Sequence, residues 1–241
     1  MSTEQIPPAS TPADAAAPAH DPSAGKPIAL VTGASRGLGF AMAEALAREG
    51  WHVLAVARTQ GGLEGLDDRI QAAGGSATLA PMDICEQGAM EHLVNATGTR
   101  WGGIGAWVHA AIHAAPLTPT GHFDPEDLET STKTNVIATA KLIALIEPLL
   151  RAREGKAMFF DDPRAGQPFF SLYGATKAGQ IAYAQSWAAE SAKIGPRVEI
   201  VTPPPMPTAV RARFFPGEDR APLTDPHAVA RDLVAAHFAL G

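Results

Sequence analysis

The segment Thr32-Gly33-Ala34-Ser35-Arg36-Gly37-Leu38-Gly39 constrains the fold more than any other. It follows a short apolar run, Ile28–Val31. It opens Gly37–Glu49, where Leu38, Met42, Ala45 and Leu46 recur at helical spacing. Glycines between a strand and a helix permit a tight turn and close approach of another group to the backbone. The start of the helix offers unbonded N–H groups and a positive dipole end, a setting that suits a pyrophosphate. The motif carries weight only in this strand–turn–helix context.

The rest of the chain repeats that context. Strand-like runs are predicted at Trp51–Ala57, Ser76–Pro81, Ala106–Ala111, Ala157–Phe160 and Arg197–Val201. Helical patterns separate them at Leu63–Ala73, Glu86–Thr99, Pro125–Arg153 and Leu172–Ile194, and Pro226–Leu240 closes the chain. The long stretch at 125–153 is expected to bend or stop near Pro148, because proline lacks the N–H that a helix interior needs. Six strands separated by helices predict right-handed β-α-β units. The expected result is an α/β doubly wound parallel sheet, order 3-2-1-4-5-6, with helices on both faces in a single domain, residues 28–241. Ligands in such sheets bind beyond the carboxyl ends of the strands.

Nineteen Lys and Arg against twenty-five Asp and Glu argue against a nucleic-acid binder. No apolar run approaches the ~18 residues of a membrane span. Cys85 is the only cysteine, so no internal disulfide forms, which is compatible with a cytoplasmic setting. Residues 1–27 hold six prolines and seven alanines but one large aliphatic, Ile6, and are expected to form a disordered tail.

A second motif, Tyr173-Gly174-Ala175-Thr176-Lys177, begins the helical stretch after the fifth strand. The pair T-G-x-x-x-G-x-G and Y-x-x-x-K, in this order, resembles the short-chain dehydrogenase/reductase family over most of residues 28–220. Phe215-Pro216-Gly217-Glu218-Asp219 resembles its bacterial YciK-like branch. The resemblance implies a Rossmann-like fold and a nicotinamide cofactor held by Thr32, Gly33, Ser35, Arg36, Gly37, Leu38 and Gly39. Asp83 matches the family's adenine-contacting acid, with Ile84 beside it, and Thr208 its nicotinamide-side threonine.

The second strand ends Val56-Ala57-Arg58-Thr59. NAD-preferring relatives would carry Asp where Ala57 stands. Arg58 and Arg36 can instead make charge-assisted contacts to a 2′-phosphate, which favours NADP(H) over NAD(H). Tyr173 and Lys177, four residues apart, share a helix face. An ammonium beside a phenol lowers the tyrosine pKa, so Tyr173 is expected to act as general acid. By resemblance Lys177 also holds the nicotinamide ribose, and Asn135 orders a water in a proton relay.

Two departures stand out. The family's serine, twelve to fourteen residues before the tyrosine, is replaced by Phe159, Phe160 and Asp161, with Asp162 one residue beyond. Either Asp could replace that donor only if protonated, because a carboxylate only accepts. Ser171 is too close to Tyr173 to be the family serine, but could cap the helix. After the fourth strand, His109-Ala110-Ala111-Ile112-His113 replaces Asn-Asn-Ala-Gly. Ala110 is placed at the cofactor and Ile112 crowds it. His109 and His113 span a strand end and a loop, so no metal site is expected.

Arg211, Arg213 and Phe214 resemble a mobile substrate lid, with a solvated helix face the simpler reading of the two arginines. The leading expectation is an NADP(H)-dependent oxidoreductase that interconverts a small-molecule carbonyl and an alcohol. The competitor is a cofactor-binding protein with little turnover, used for sensing or as a scaffold. No strand pattern follows residues 229–241, so a homodimer through the two long helices is expected, with Ala182, Ala189 and Trp187 at the contact.

Overall fold

The computed structural model describes residues 21–240. The elements, in order, are β1 Ile28–Thr32, α1 Gly37–Arg48, β2 His52–Ala57, α2 Gln60–Ala72, β3 Ser76–Pro81, α3 Gln87–Trp101 and β4 Ala106–His109. Next come α4 Pro125–Ser131, a π-helical turn Thr132–Ile137, α5 Ala138–Arg151, β5 Lys156–Phe160, α6 Ser171–Ser191, β6 Arg197–Val201, α7 Ala209–Phe214 and α8 Pro226–His237. All six strands are parallel, in the order β3-β2-β1-β4-β5-β6. The expected topology is therefore present.

Every residue of β1 is buried, as an unbroken apolar run requires when helices cover both faces. Its side chains alternate. Ala29 and Val31 join a core layer with Met42, Leu46, Leu63 and Val234, from α1, α2 and α8. Ile28 and Leu30 join the opposite layer with Met90, Leu142, Ile146, Ile181 and Trp187, from α3, α5 and α6. Trp187 is thus core, not dimer contact; a 4% exposed indole has nothing to offer a partner.

The break in the 125–153 stretch lies at Thr132–Ile137, well before Pro148. Pro148 sits one turn from the end of α5 and forfeits only one late hydrogen bond. Asp124 and Asp225 cap α4 and α8, accepting from Glu126 N (2.9 Å) and His227 N (3.1 Å), each just before a proline at the first helical position.

Residues 1–20 of the expected tail lie outside the described residues. Its last part is bound to the fold: Ser76 Oγ donates to Pro22 O (3.0 Å), Trp101 Nε1 to Ser23 Oγ (2.9 Å) and Arg100 to Asp21 (3.1 Å). The folded unit thus begins before Ile28. Among the described residues no helix is long and apolar enough to cross a membrane.

Candidate active site

A cleft of about 600 Å³ runs along the carboxyl ends of β1, β2, β4 and β5. At its centre is the glycine turn. Gly33 has φ +84°, and a Cβ there would lie 2.5 Å from Ala111 N. A Cβ on Gly39 would meet Gly33 O and, at 2.9 Å, Ala110 Cβ. These two glycines let α1 and the segment leaving β4 close onto β1. The start of α1 has no side-chain cap, and Phe40 N is the first N–H of the helix to reach a backbone acceptor, Arg36 O (3.3 Å). Gly37, Leu38 and Gly39 line the cleft there, so their N–H groups are available to an anion.

Ser35, Arg36, Arg58, Asp83, Ile84 and Ala110 line the same half. Arg58 Nη1 stands 3.9 Å from Asp83 Oδ2, and the arginine is more than half exposed. Asp83 Oδ1 accepts from Cys85 N (2.9 Å). Thr32 does not belong with them. It is fully buried, accepts from Trp107 Nε1 (3.3 Å), pairs with His109 Nδ1 (2.8 Å) and donates to Val108 O (3.3 Å). Its hydroxyl is consumed in holding β1 to β4.

The other half of the cleft is built by α6, the loop after β5, and α7. Tyr173 and Lys177 both face it from the first turns of α6. The Tyr173 hydroxyl donates to Asp162 Oδ2 (3.1 Å), and Asp162 Oδ1 accepts from Arg164 Nε (2.8 Å). The tyrosine ring packs on Phe214, centroids 4.7 Å apart. Burial, followed by the Asp162 charge and its hydrogen bond, pushes the Tyr173 pKa above its ordinary value. The expected depression of that pKa is therefore overturned. Lys177 Nζ donates to Gln180 Oε1 (2.7 Å) instead, and the group beside the phenol is an anion.

Burial lowers the Lys177 pKa to about 8, against the opposing charges of Asp161 and Asp162. Behind it, Gln180 Nε2 donates to His109 Nε2 (3.2 Å) and Thr139 Oγ1 (3.1 Å). Burial, with a smaller effect of the Lys177 charge, takes His109 down to about 3, so the ring is neutral at pH 7. With Nε2 accepting from Gln180, the network assigns the proton to Nδ1, donating to Thr32. Both ring nitrogens are engaged. His113 Nε2 stands 3.5 Å from Asp127 Oδ1, and no cluster of three metal-ligating side chains occurs among the described residues.

Asn135 lies in the π turn, fully buried, behind the cleft wall. Its Oδ1 accepts from His113 N (2.7 Å), and its Nδ2 donates to His113 O (2.9 Å) and Thr176 Oγ1 (3.0 Å). Both amide hydrogens are spent, so the side chain braces the segment after β4 and cannot donate to a relay water. Ser171 does not cap α6 either: Phe170 occupies the cap position and the Ser171 hydroxyl is buried without a partner. Arg211 and Arg213 are not a solvated face. Arg211 Nε donates to Glu218 (2.6 Å), and Arg213 to Ala114 O (2.5 Å). Both tie down α7, whose own cap is Thr208, accepting from Arg211 N (3.3 Å). Ile112 packs with Tyr173, Phe170 and Phe214 in a small apolar cluster beside the cleft.

Arg164, Gln180, Thr139 and Phe170 escaped sequence reasoning. Gln180 could have been found, three residues after Lys177 on one helix face. Thr139 meets the site only through long-range packing, and Arg164 and Phe170, though within three residues of Asp162 and Tyr173, lie in a loop with no periodicity to mark them.

The short chain dehydrogenase family profile matches residues 27–219. A ketoacyl reductase, HetN, from Nostoc sp. is 31% identical over 178 residues, 72% of this chain and 61% of that protein. The chain spans about three-fifths or less of the length of the first curated relatives it matches. A short chain dehydrogenase structure from Pseudomonas syringae superposes with TM-score 0.81 at 26% identity, covering 89% of this chain and 90% of that one. One from Shigella flexneri, complexed with NADP, does so with TM-score 0.76 at 26% identity, covering 83% and 86%. With the six-stranded order, the glycine turn and the Tyr173/Lys177 pair opening on one cleft, these matches establish that the chain belongs to the short-chain dehydrogenase family of oxidoreductases.

Proposed function

We propose that this chain is an NADP(H)-preferring oxidoreductase acting on a small-molecule carbonyl/alcohol couple. The observation that carries this reading is the continuity of one cleft from the uncapped start of α1 to Tyr173 and Lys177. The NADP complex of the Shigella flexneri relative supports the cofactor. A nicotinamide cofactor, when bound, supplies the hydride. In this chain the N–H groups of Gly37, Leu38 and Gly39 hold the pyrophosphate. Arg36 and Arg58 hold the 2′-phosphate, and Asp83 and Ile84 flank the adenine. Lys177, with one of its three N–H groups on Gln180, turns the remainder to the ribose hydroxyls.

Tyr173 is the acid at the substrate oxygen. To act, its proton must leave Asp162, and the phenolate then sits beside carboxylates. That makes carbonyl reduction slow for the family, because the substrate end carries an acceptor where a donor would stabilise the oxyanion; one such donor is worth about 10²–10³ in rate. Titration with NADPH and with NADH, beside NADPH consumption over a carbonyl panel, tests the reading. Tighter NADPH binding with slow turnover supports it. Binding without any turnover favours the competing role as a cofactor-binding sensor or scaffold.

The same reading includes a cytoplasmic setting and a homodimer. Ala182, Tyr183 and Ala189 on α6 are exposed, as is Ile137 in the π turn, and these give the two long helical stretches an apolar face. Light scattering at micromolar concentration should return a dimer; a monomer or a tetramer contradicts it.

A further inference from the structure

Charged groups at the substrate end of the cleft are nearly all paired. Arg164 is on Asp162, Arg211 on Glu218, Arg213 on Ala114 O and Lys177 on Gln180. The exception is Asp161. Its N–H is fixed on Val201 O (2.8 Å) at the end of β5, and its carboxylate has no side-chain partner among the described residues. It lines the same cleft as Tyr173 and Lys177, and its charge bears on both. Tyr173 completes the arrangement. With its hydrogen on Asp162, the phenol turns an oxygen lone pair, not a proton, toward the substrate. A carboxylate and a lone pair both suit a cationic N–H, and both oppose a developing alkoxide.

We propose that this end of the cleft binds a protonated imine and supports its reduction to an amine, with Asp161 pairing with the N–H. The inference rests on the nicotinamide reading above. The chemistry balances without the tyrosine proton. The iminium carbon accepts the hydride, the C=N π pair becomes the nitrogen lone pair, and the positive charge is cancelled. The substrate is reduced by two electrons and the nicotinamide is oxidised by two. In reverse, a neutral amine loses hydride from its α-carbon and leaves as the iminium. Asp161 favours the protonated, electrophilic form of the imine. Phe214, Phe215 and Ile112 supply apolar walls for the remainder.

The test uses the purified full chain with matched probes. Calorimetry compares tetrahydroisoquinoline with isochroman, which replaces the NH by oxygen. The amine should bind at least about tenfold more tightly, and Asp161→Asn should bring the two within about twofold while leaving the NADPH affinity unchanged; tenfold corresponds to ~1.4 kcal/mol. Turnover compares 3,4-dihydroisoquinoline with 1-tetralone, the imine expected at least about tenfold faster, a margin of the same size. Equal binding of amine and ether, or a preference that survives Asp161→Asn, overturns the inference. NADPH binding with tetralone reduced and the imine untouched overturns it alone. Failure to bind NADPH overturns the nicotinamide reading and the imine activity together.

Discussion

The two halves of the cleft are built differently. The phosphate half is made of backbone: Gly33 and Gly39 are required because another chain segment lies where a side chain would be, and α1 presents N–H groups. The substrate half is made of side chains held by other side chains and loops: Tyr173 on Asp162 from the loop after β5, Arg213 on the Ala114 carbonyl, and Lys177 on Gln180 of its own helix, which in turn donates to His109. A backbone site tolerates little change and keeps its chemistry. A side-chain site can be rewired by one residue, as Asp162 rewires Tyr173.

The largest effect should fall on the substrate half. Tyr173→Phe is expected to cut ketone reduction by about 10²–10⁴, with NADPH affinity unchanged in titration. On the imine the loss should stay below about tenfold, because no proton transfer accompanies that hydride step. Equal losses on both substrates would contradict an imine reduction that needs no tyrosine proton.

Gly39→Ala probes the other side. The new methyl meets a backbone oxygen that cannot move aside, which costs about 3 kcal/mol or more. The melting temperature should drop by ~6–12 °C, together with cofactor affinity. A variant that melts like the parent would mean that the turn is looser than its geometry implies.

Gln180→Leu leaves the Lys177 ammonium buried without its acceptor and frees His109 Nε2 of its donor. Each orphaned group costs about 1–3 kcal/mol, measurable as a lower denaturant midpoint. Arg58→Ala is smaller still. NADPH binding should weaken by about tenfold and NADH binding by less than about twofold, as expected for one exposed charge-assisted contact to the 2′-phosphate.

A change of pH probes the buried groups behind the cleft. His109 titrates near 6.5 unfolded and at about 3 folded, so the unfolded chain binds more protons between these values. Stability therefore falls as the pH drops through that window. Lys177, at 10.5 unfolded and about 8 folded, makes stability rise with pH between those two values. Denaturation curves at stepped pH check both, and His109→Asn should flatten the acid limb.

What the sequence made legible follows the same division. The strand order and the glycine turn come from local patterns, and both stand in the fold. Spacing identifies Tyr173 and Lys177 but implies the opposite electrostatics, because it shows neighbours along a helix and not Asp162 arriving from the loop after β5. Thr32 and Asn135 carry the right residue types, yet their polar groups are spent on β4 and its exit. Trp187 points inward because α6 lies on the sheet with that face. The π turn that carries Asn135 has no composition of its own to announce it.

The central claim is that Asp162 holds the Tyr173 proton and thereby sets the substrate half apart. Asp162→Ser tests it most directly, because it removes a carboxylate, frees the phenol and supplies a hydroxyl donor in one change. Steady-state reduction of 1-tetralone by this variant should rise by about tenfold or more, within the worth of one oxyanion donor, with the NADPH affinity unchanged. A folded variant whose ketone rate stays level or falls would contradict the account.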